Sequence, residues 1–300
     1  MSPSEITISI CPACGASAFH PYLICKDYTV SQESFTLIQC RTCSLVVTSP
    51  RPLNDNLGKY YLSEDYISHT DKPASIIDRI YVFARSFALK WKIKLINSEL
   101  QGNKNLLDYG CGTGNFLKAS HQAGWTITGV EPSTIAREAA ERNTGAQVAE
   151  RLEDLKEKKF SIITLWHVLE HVPDLNETLS NLKALLEETG TLFIAVPNHA
   201  SDDGKRYKNS WAGYDVPRHL WHFTPDNMQK LVSKHELKLK RIVPMKLDAY
   251  YVSMLSEKYK NNQKLGPIQM IRAFFAGWRS NARAYAGTGN FSSLIYILTK

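Results

Sequence analysis

The chain has 300 residues, of which 43% are hydrophobic, 22% charged and 10% aromatic, the profile of a globular protein with ample material for a core. That composition excludes disorder, collagen and coiled coil, and six cysteines are too few for a disulfide scaffold. The formal net charge of +7 is unevenly spread: residues 1–200 carry −3 and residues 201–300 carry +10. By the rule of roughly 150 residues per domain, one large domain with a small module is expected. No run approaches the roughly 20 apolar residues of a spanning helix. The opening MSPSEITISI lacks the basic and apolar regions of a signal peptide, so a reducing, cytoplasmic setting is expected.

Four cysteines form two pairs, Cys11-Pro-Ala-Cys14 and Cys40-Arg-Thr-Cys43. Two intervening residues let a tight turn aim both thiolates at one ion. Two such turns make a closed tetrahedral sulfur site suited to structural zinc. Gly15 follows the first pair, where a knuckle turn calls for positive φ. The β-prone runs 19–24 and 34–38 read as short strands, so residues 1–48 are expected to form a zinc ribbon. Cys25 and Cys111 are left as ordinary thiols.

Residues 49–72, with Ser49-Pro-Arg-Pro52, Tyr60, Tyr61 and Glu64-Asp-Tyr66, read as a linker with aromatic anchors. After Pro73, apolar residues keep helical spacing to about Leu100, and Gly102 provides a stop.

From there strands alternate with helices. Strands are expected at 105–109, 125–130, 146–149, 160–166, 191–196, 237–243 and 292–298. Helices are expected at 115–122, 133–143, 174–188 and 225–235. This is the βαβ pattern of a buried parallel sheet, and residues 73–300 are read as one α/β domain with a helical insertion at about 250–290.

Gly110-Cys-Gly-Thr-Gly114 follows the first of these strands and opens a helix, the context that gives a glycine-rich turn its meaning. It is not a phosphate-binding P-loop, since no G-x-x-x-x-G-K-[ST] run exists, nor a G-x-G-x-x-G fingerprint, because the third glycine arrives one residue early. Glu131 ends the next strand about 20 residues on, where a carboxylate can accept both hydroxyls of a ribose.

Asp108-x-Gly110-x-Gly112-x-Gly114 with Glu131 resembles motif I of the class I S-adenosylmethionine-dependent methyltransferases. The segments Trp166-His-Val-Leu-Glu-His-Val-Pro-Asp174, Val196-Pro-Asn198 and 213–225 resemble the small-molecule branch that includes ubiquinone-pathway O-methyltransferases. An N-terminal cysteine ribbon is similar to that of some bacterial sugar methyltransferases. The resemblance implies a Rossmann-like seven-stranded sheet, last strand antiparallel, with helices on both faces. It implies that Asp108 orients the cofactor's ammonium and that the backbone of Gly110, Gly112 and Gly114 wraps its amino-acid end. Glu131 would hold the ribose, Pro132 and Ser133 flank the adenine, Leu152 touch it, and Trp166 and His167 close the methionine side. The implied cofactors are S-adenosyl-L-methionine and structural zinc.

His167-Val-Leu-Glu170-His171 also spells the inverted zinc-protease signature H-x-x-E-H. That chemistry needs a continuous helix, and Pro173 disfavours one at Val172. The expected role of Glu170 and His171 is to pair and shape a loop.

Methyl transfer to a hydroxyl or acidic carbon needs alignment and a base. Three histidines are placed for it: His167 on the cofactor side, and His219 and His222 in the later loop, one of which is the expected base. The long loop 198–225 also carries Trp211, Tyr214, Arg218 and Trp221, the content of a lid or binding loop. The basic excess falls on residues 204–241 and on the insertion, where Ile271-Arg-Ala-Phe-Phe-Ala-Gly-Trp-Arg279 reads as an amphipathic helix. It could lie on anionic lipid, cover a lipidic substrate, bind phosphates, or pack on its own domain. The expected activity is methyl transfer to O or C of a small anionic acceptor, such as a sugar nucleotide, glycan or lipid intermediate. A zinc-ribbon RNA methyltransferase and a non-catalytic cofactor-binding interaction protein are the alternatives. The absence of an Asn-Pro-Pro-Tyr type sequence after the fourth strand argues against a nucleic-acid substrate.

Overall fold

The computed structural model describes residues 5–61 and 76–300, with the side chains of 76–85 left aside. The linker residues Glu64 and Tyr66 and the residues directly after Pro73 lie outside the described residues.

Thirteen strands are described: β1 (Glu5–Ile6), β2 (Phe19–Lys26), β3 (Ser34–Cys40), β4 (Val46–Thr48), β5 (Arg51–Pro52), β6 (Asn105–Tyr109), β7 (Thr126–Val130), β8 (Val148–Ala149), β9 (Phe160–Trp166), β10 (Leu186–Pro197), β11 (Trp221–His222), β12 (Lys238–Pro244) and β13 (Ser293–Thr299). Seven of them form the main sheet, in the order β12-β13-β10-β9-β6-β7-β8. It is the expected Rossmann-like arrangement, with helices on both sides and the last strand antiparallel. β6 pairs in parallel with both β7 and β9, and β7 with β8. Reversal of strand order about β6 makes the carboxyl ends of β6 and β9 the place where such sheets receive ligands.

Chain contacts divide the protein into two compact units. One holds 68–168, 177–194 and 297–300; the other holds 1–67, 169–176 and 195–296. In the first, β9 is buried from Phe160 to Leu165, as a strand covered on both faces must be. Ser133 caps the helix Thr134–Thr144 by accepting from the Ala136 amide, and Gly145 ends it at φ 69°. The helix expected over 174–188 spans Leu175–Leu185, and β10 begins at Leu186. Leu186 to Glu188 have good helix propensity, but the buried Leu186 joins the strand, so tertiary context overrides propensity. The strand expected at 146–149 shortens to Val148–Ala149.

In the second unit the ribbon strands make a four-stranded sheet, β11-β4-β3-β2. Its edge strand, Trp221–His222, comes from far downstream and pairs antiparallel with Val46 and Val47. Residues 49–61 hold regular structure: β5 pairs with β1, and a short helix covers Asn54–Leu57. The region expected as a lid folds into the helix Asp202–Tyr207, tight turns and β11. Tyr207, Trp211, Tyr214, Leu220 and Trp221 are all buried. Aromatic mass of that kind gains most by leaving water, so this segment is core and not a free flap.

The insertion forms two helices, Asp248–Lys260 and Pro267–Arg283. The second packs by its small residues: Ala273, Ala276, Gly277 and Ser280 are buried. A β-carbon on Gly277 would stand 2.9 Å from the Ala249 carbonyl oxygen, so the helices approach closely there. The large residues Ile268, Ile271, Phe274, Phe275 and Trp278 face outward, each 57–63% exposed. The helix packs on its own domain by its small face, and Phe274 of the stripe meets the Tyr250 ring at 5.5 Å while most of the stripe's surface stays exposed. Among the described residues, no helix is long and apolar enough to cross a membrane.

Candidate active site

The turn after β6 is built for backbone approach. Gly110, Gly112 and Gly114 have φ of 72°, 54° and 77°. A β-carbon on Gly110 would come within 2.5 Å of Val168 Cγ2, and one on Gly114 would meet Ala140 Cα at 3.0 Å. Side chains are thus excluded by conformation and by space. The amides of Gly110 and Cys111 both donate to the Val130 carbonyl, at 2.8 and 3.1 Å, tying the turn to β7. Above Gly112 a β-carbon would meet nothing within 4 Å, so the backbone is open there.

Glu131 clamps the next corner. Its Oε2 accepts from the Gly112 amide and its Oε1 from the Ser133 amide, both at 2.9 Å. Each oxygen keeps a lone pair, which is what two vicinal hydroxyls need. Arg137 Nη1 donates to the carbonyls of Glu131 and Pro132, at 2.8 and 3.1 Å. Pro132 is exposed, and Leu152 is buried in the turn after β8.

Asp108 lies 3% exposed at the end of β6. The Thr164 hydroxyl on β9 donates to its Oδ1 at 2.6 Å. Burial pushes the Asp108 carboxyl up to about 7, against the pull of Thr164 and of the Lys92 ammonium, with Glu131 adding to the rise. Lys92 Nζ stands 4.2 Å from the Trp166 ring centroid, and Trp166 meets Phe116 edge-on. The indole N–H of Trp166 is buried with no hydrogen-bond partner among the described residues. A buried carboxylate, an unused buried donor and an open glycine backbone in one unit suit a ligand with its own ammonium and carboxylate, as S-adenosylmethionine has. His167 follows directly, with φ of 60°, a backbone state that collects at functional sites.

His219 and His222 belong to the other unit. His222 is 3% exposed on β11, with Nε2 3.0 Å from Thr48 Oγ1. Burial, then the neighbouring His219 and His199, hold its pKa well below the usual range. His219 places Nδ1 2.9 Å from the Gly213 carbonyl oxygen. Arg218, 1% exposed, joins Asp27 at 3.0 Å and Asp215 at 2.6 Å.

The cysteines make two matching knuckles. Gly15 and Ser44, each after its pair, have φ of 76° and 62°. Their amides donate to the carbonyls of Cys11 and Cys40, at 2.8 and 3.0 Å. Cys11 Sγ lies 3.4 Å from Cys43 Sγ, and Cys14 Sγ 3.6 Å from Cys40 Sγ. A tetrahedral zinc with bonds of about 2.3 Å sets sulfurs about 3.8 Å apart, so the four thiols fit that ion.

Sequence reasoning missed Thr164 and Lys92. Thr164 is the lone hydroxyl in the apolar run 162–166, a signal that could have been read. Lys92 carries none, because its helix looks like any amphipathic helix.

Residues 83–241, more than half of the chain, match the family model described as a methyltransferase domain. A ubiquinone biosynthesis O-methyltransferase of Actinobacillus pleuropneumoniae is 38% identical over 109 residues, covering 32% of this chain and 46% of that protein. One from Glaesserella parasuis is 30% identical over 161 residues, covering 49% and 67%. The chain spans about half the length of the first of these relatives. Among solved structures, a cyclopropane synthase of Mycobacterium tuberculosis aligns with a TM-score of 0.48 at 16% identity, over 70% of this chain and 83% of that one.

Proposed function

We propose, for a chain that belongs to the methyltransferase-domain family, that it moves the methyl group of S-adenosylmethionine to an oxygen of a small, anionic, lipid-linked acceptor. The observation that carries the cofactor half is the Glu131 clamp. One carboxylate fixes both the glycine turn and the Ser133 corner, and keeps a lone pair on each oxygen for a ribose. Asp108 would take the ammonium, the amides around Gly112 the carboxylate, and Trp166 the methionine side. Displacement at the sulfonium carbon has a good leaving group, so alignment and exclusion of water are the main tasks. His167 is our candidate base: it lies in the same unit as the glycine turn and follows β9 directly. His222 serves poorly, since its imidazole is buried against Thr48 and held from protonation. The name carried by the relatives favours oxygen as the acceptor atom. Cys11, Cys14, Cys40 and Cys43 would hold structural zinc.

The helix Pro267–Arg283 supports contact with an anionic membrane surface. It turns five large apolar residues outward, has no acidic residue and carries Arg272, with Arg279 and Arg283 sharing the single carboxylate of Asp202 at 3.0 and 2.8 Å, which leaves a net positive charge. The protein should co-sediment with phosphatidylglycerol vesicles and not with phosphatidylcholine vesicles, and Trp278→Glu should abolish this. Calorimetry with S-adenosylhomocysteine tests the central reading, and a folded protein that does not bind at millimolar ligand would sink it. A screen of metabolite extracts with labelled methyl donor then identifies the acceptor.

A further inference from the structure

The segment 168–172 contains no helix, as Pro173 foretold, so the protease geometry is absent. Two residues of that motif nevertheless meet a third from the loop before β11. One ligand atom each from Glu170, His171 and His219 lies within 4.8 Å of the others. We propose that these three residues form a second metal site, distinct from the cysteines, which takes a divalent first-row transition cation.

The orientation of the imidazoles supports it. His171 Nδ1 is 3.0 Å from the Arg218 carbonyl oxygen, and His219 Nδ1 is 2.9 Å from that of Gly213. A carbonyl can only accept, so His219 carries its proton on Nδ1 and leaves Nε2 with the lone pair; the Arg218 carbonyl favours the same tautomer at His171, whose Nδ1 also meets the Tyr61 hydroxyl at 3.0 Å. Metal-binding histidines are commonly fixed in this way by a backbone acceptor. The two rings meet edge to face, 4.5 Å apart at 84°.

The frame is rigid. The Leu220 amide donates to the Glu170 carbonyl at 2.8 Å, joining the two segments that supply the ligands. Arg218, whose carbonyl orients His171, pairs through its guanidinium with Asp215, and Asp215 Oδ2 stands 3.9 Å from His219 Nε2. Glu170 is 0% exposed, and a carboxylate so buried is stabilised by a nearby cation.

Two nitrogens and one oxygen suit zinc, iron, manganese or cobalt, whereas magnesium and calcium favour oxygen alone. Three protein ligands leave coordination positions for water or for an oxygen of a bound molecule, unlike the closed cysteine site.

Cobalt substitution of the full chain tests this. Thiolate-bound Co2+ gives intense charge-transfer absorption; Co2+ on imidazole and carboxylate gives d–d bands without it. The expected result is two equivalents of cobalt in the wild type and one in both Glu170→Gln and His219→Gln, with the thiolate band intact. That band also reports that the ribbon is folded. A single, wholly thiolate-bound equivalent in the wild type overturns the proposal, and so does a second equivalent that survives both substitutions. Should a variant fail to fold, Mn2+, which thiolates bind poorly, is titrated into wild type carrying a single equivalent of zinc on its cysteines and followed by the loss of its free-ion paramagnetic signal. One bound Mn2+ supports the site, and none overturns it.

Discussion

Thr164 and Asp108 face each other across adjacent parallel strands, joined by a 2.6 Å hydrogen bond from hydroxyl to carboxyl. Burial lifts the Asp108 carboxyl to about 7 even with this donor in place. In the ligand-free protein its neutral form is therefore favoured. That contribution to stability is complete below the unfolded value near 3.8 and is lost as pH rises through about 7. An ammonium ligand reverses the preference. Affinity for S-adenosylhomocysteine should accordingly rise as pH increases from about 6 to 8. Asp108→Asn should bind weakly with a flat profile, and Thr164→Val should move the midpoint upward. Calorimetry across pH reads all three.

Glu131→Ala removes an acceptor from two backbone amides and from the proposed ribose. S-adenosylhomocysteine affinity should fall about tenfold or more, a loss of at least ~1.4 kcal/mol. Glu131→Gln keeps one acceptor and should fall between. Unchanged affinity in the alanine variant would remove the ribose assignment.

Gly110→Ala combines positive φ with a 2.5 Å clash on Val168. It should destabilise the fold by roughly 1–3 kcal/mol. Val168→Ala in the same chain removes the clash but not the strained φ, so denaturant melts should show partial recovery. Full recovery would mean that sterics alone demand glycine.

Arg218→Met leaves Asp27 and Asp215 facing each other's surroundings without their shared cation. Loss of one partner from a buried ion network costs about 3–5 kcal/mol. Burial raises both carboxyls, but Arg218, with the Ser31 amide at Asp27, outweighs it and holds both below the usual range. The wild type therefore carries this stabilisation above about pH 4 and loses it as acid protonates them. Thermal melts of the variant should be less sensitive to acid over that range.

His167→Gln should lower methyl incorporation from an extract by about 10²–10⁴-fold while S-adenosylhomocysteine affinity stays within a few-fold. Retained transfer would remove His167 as the base.

The glycine turn, Asp108 and Glu131 could be read from the sequence because each answers a local demand: a positive φ, a strand end, a helix start. The four cysteines could be read for the same reason. Ser44 could not, because serine does not advertise a left-handed backbone as Gly15 does. The packed state of 198–225 was also hidden. It depends on Arg218 reaching Asp27, 191 residues away, and no window of local periodicity contains both. The outward aromatic face of Pro267–Arg283 was half legible: the helix was evident, but not which face its neighbour would take.

Trp221 and His222 close the edge of the cysteine sheet, and the Thr48 hydroxyl donates to the His219 carbonyl across 171 residues of chain. During synthesis from the N-terminus, β2 to β4 emerge long before this edge strand exists. The exposed side of β4 must wait, and such distant pairing is slow. The zinc proposed for the four cysteines, if captured early, would hold the nascent sheet in register through that interval and so act on folding order as well as on final stability.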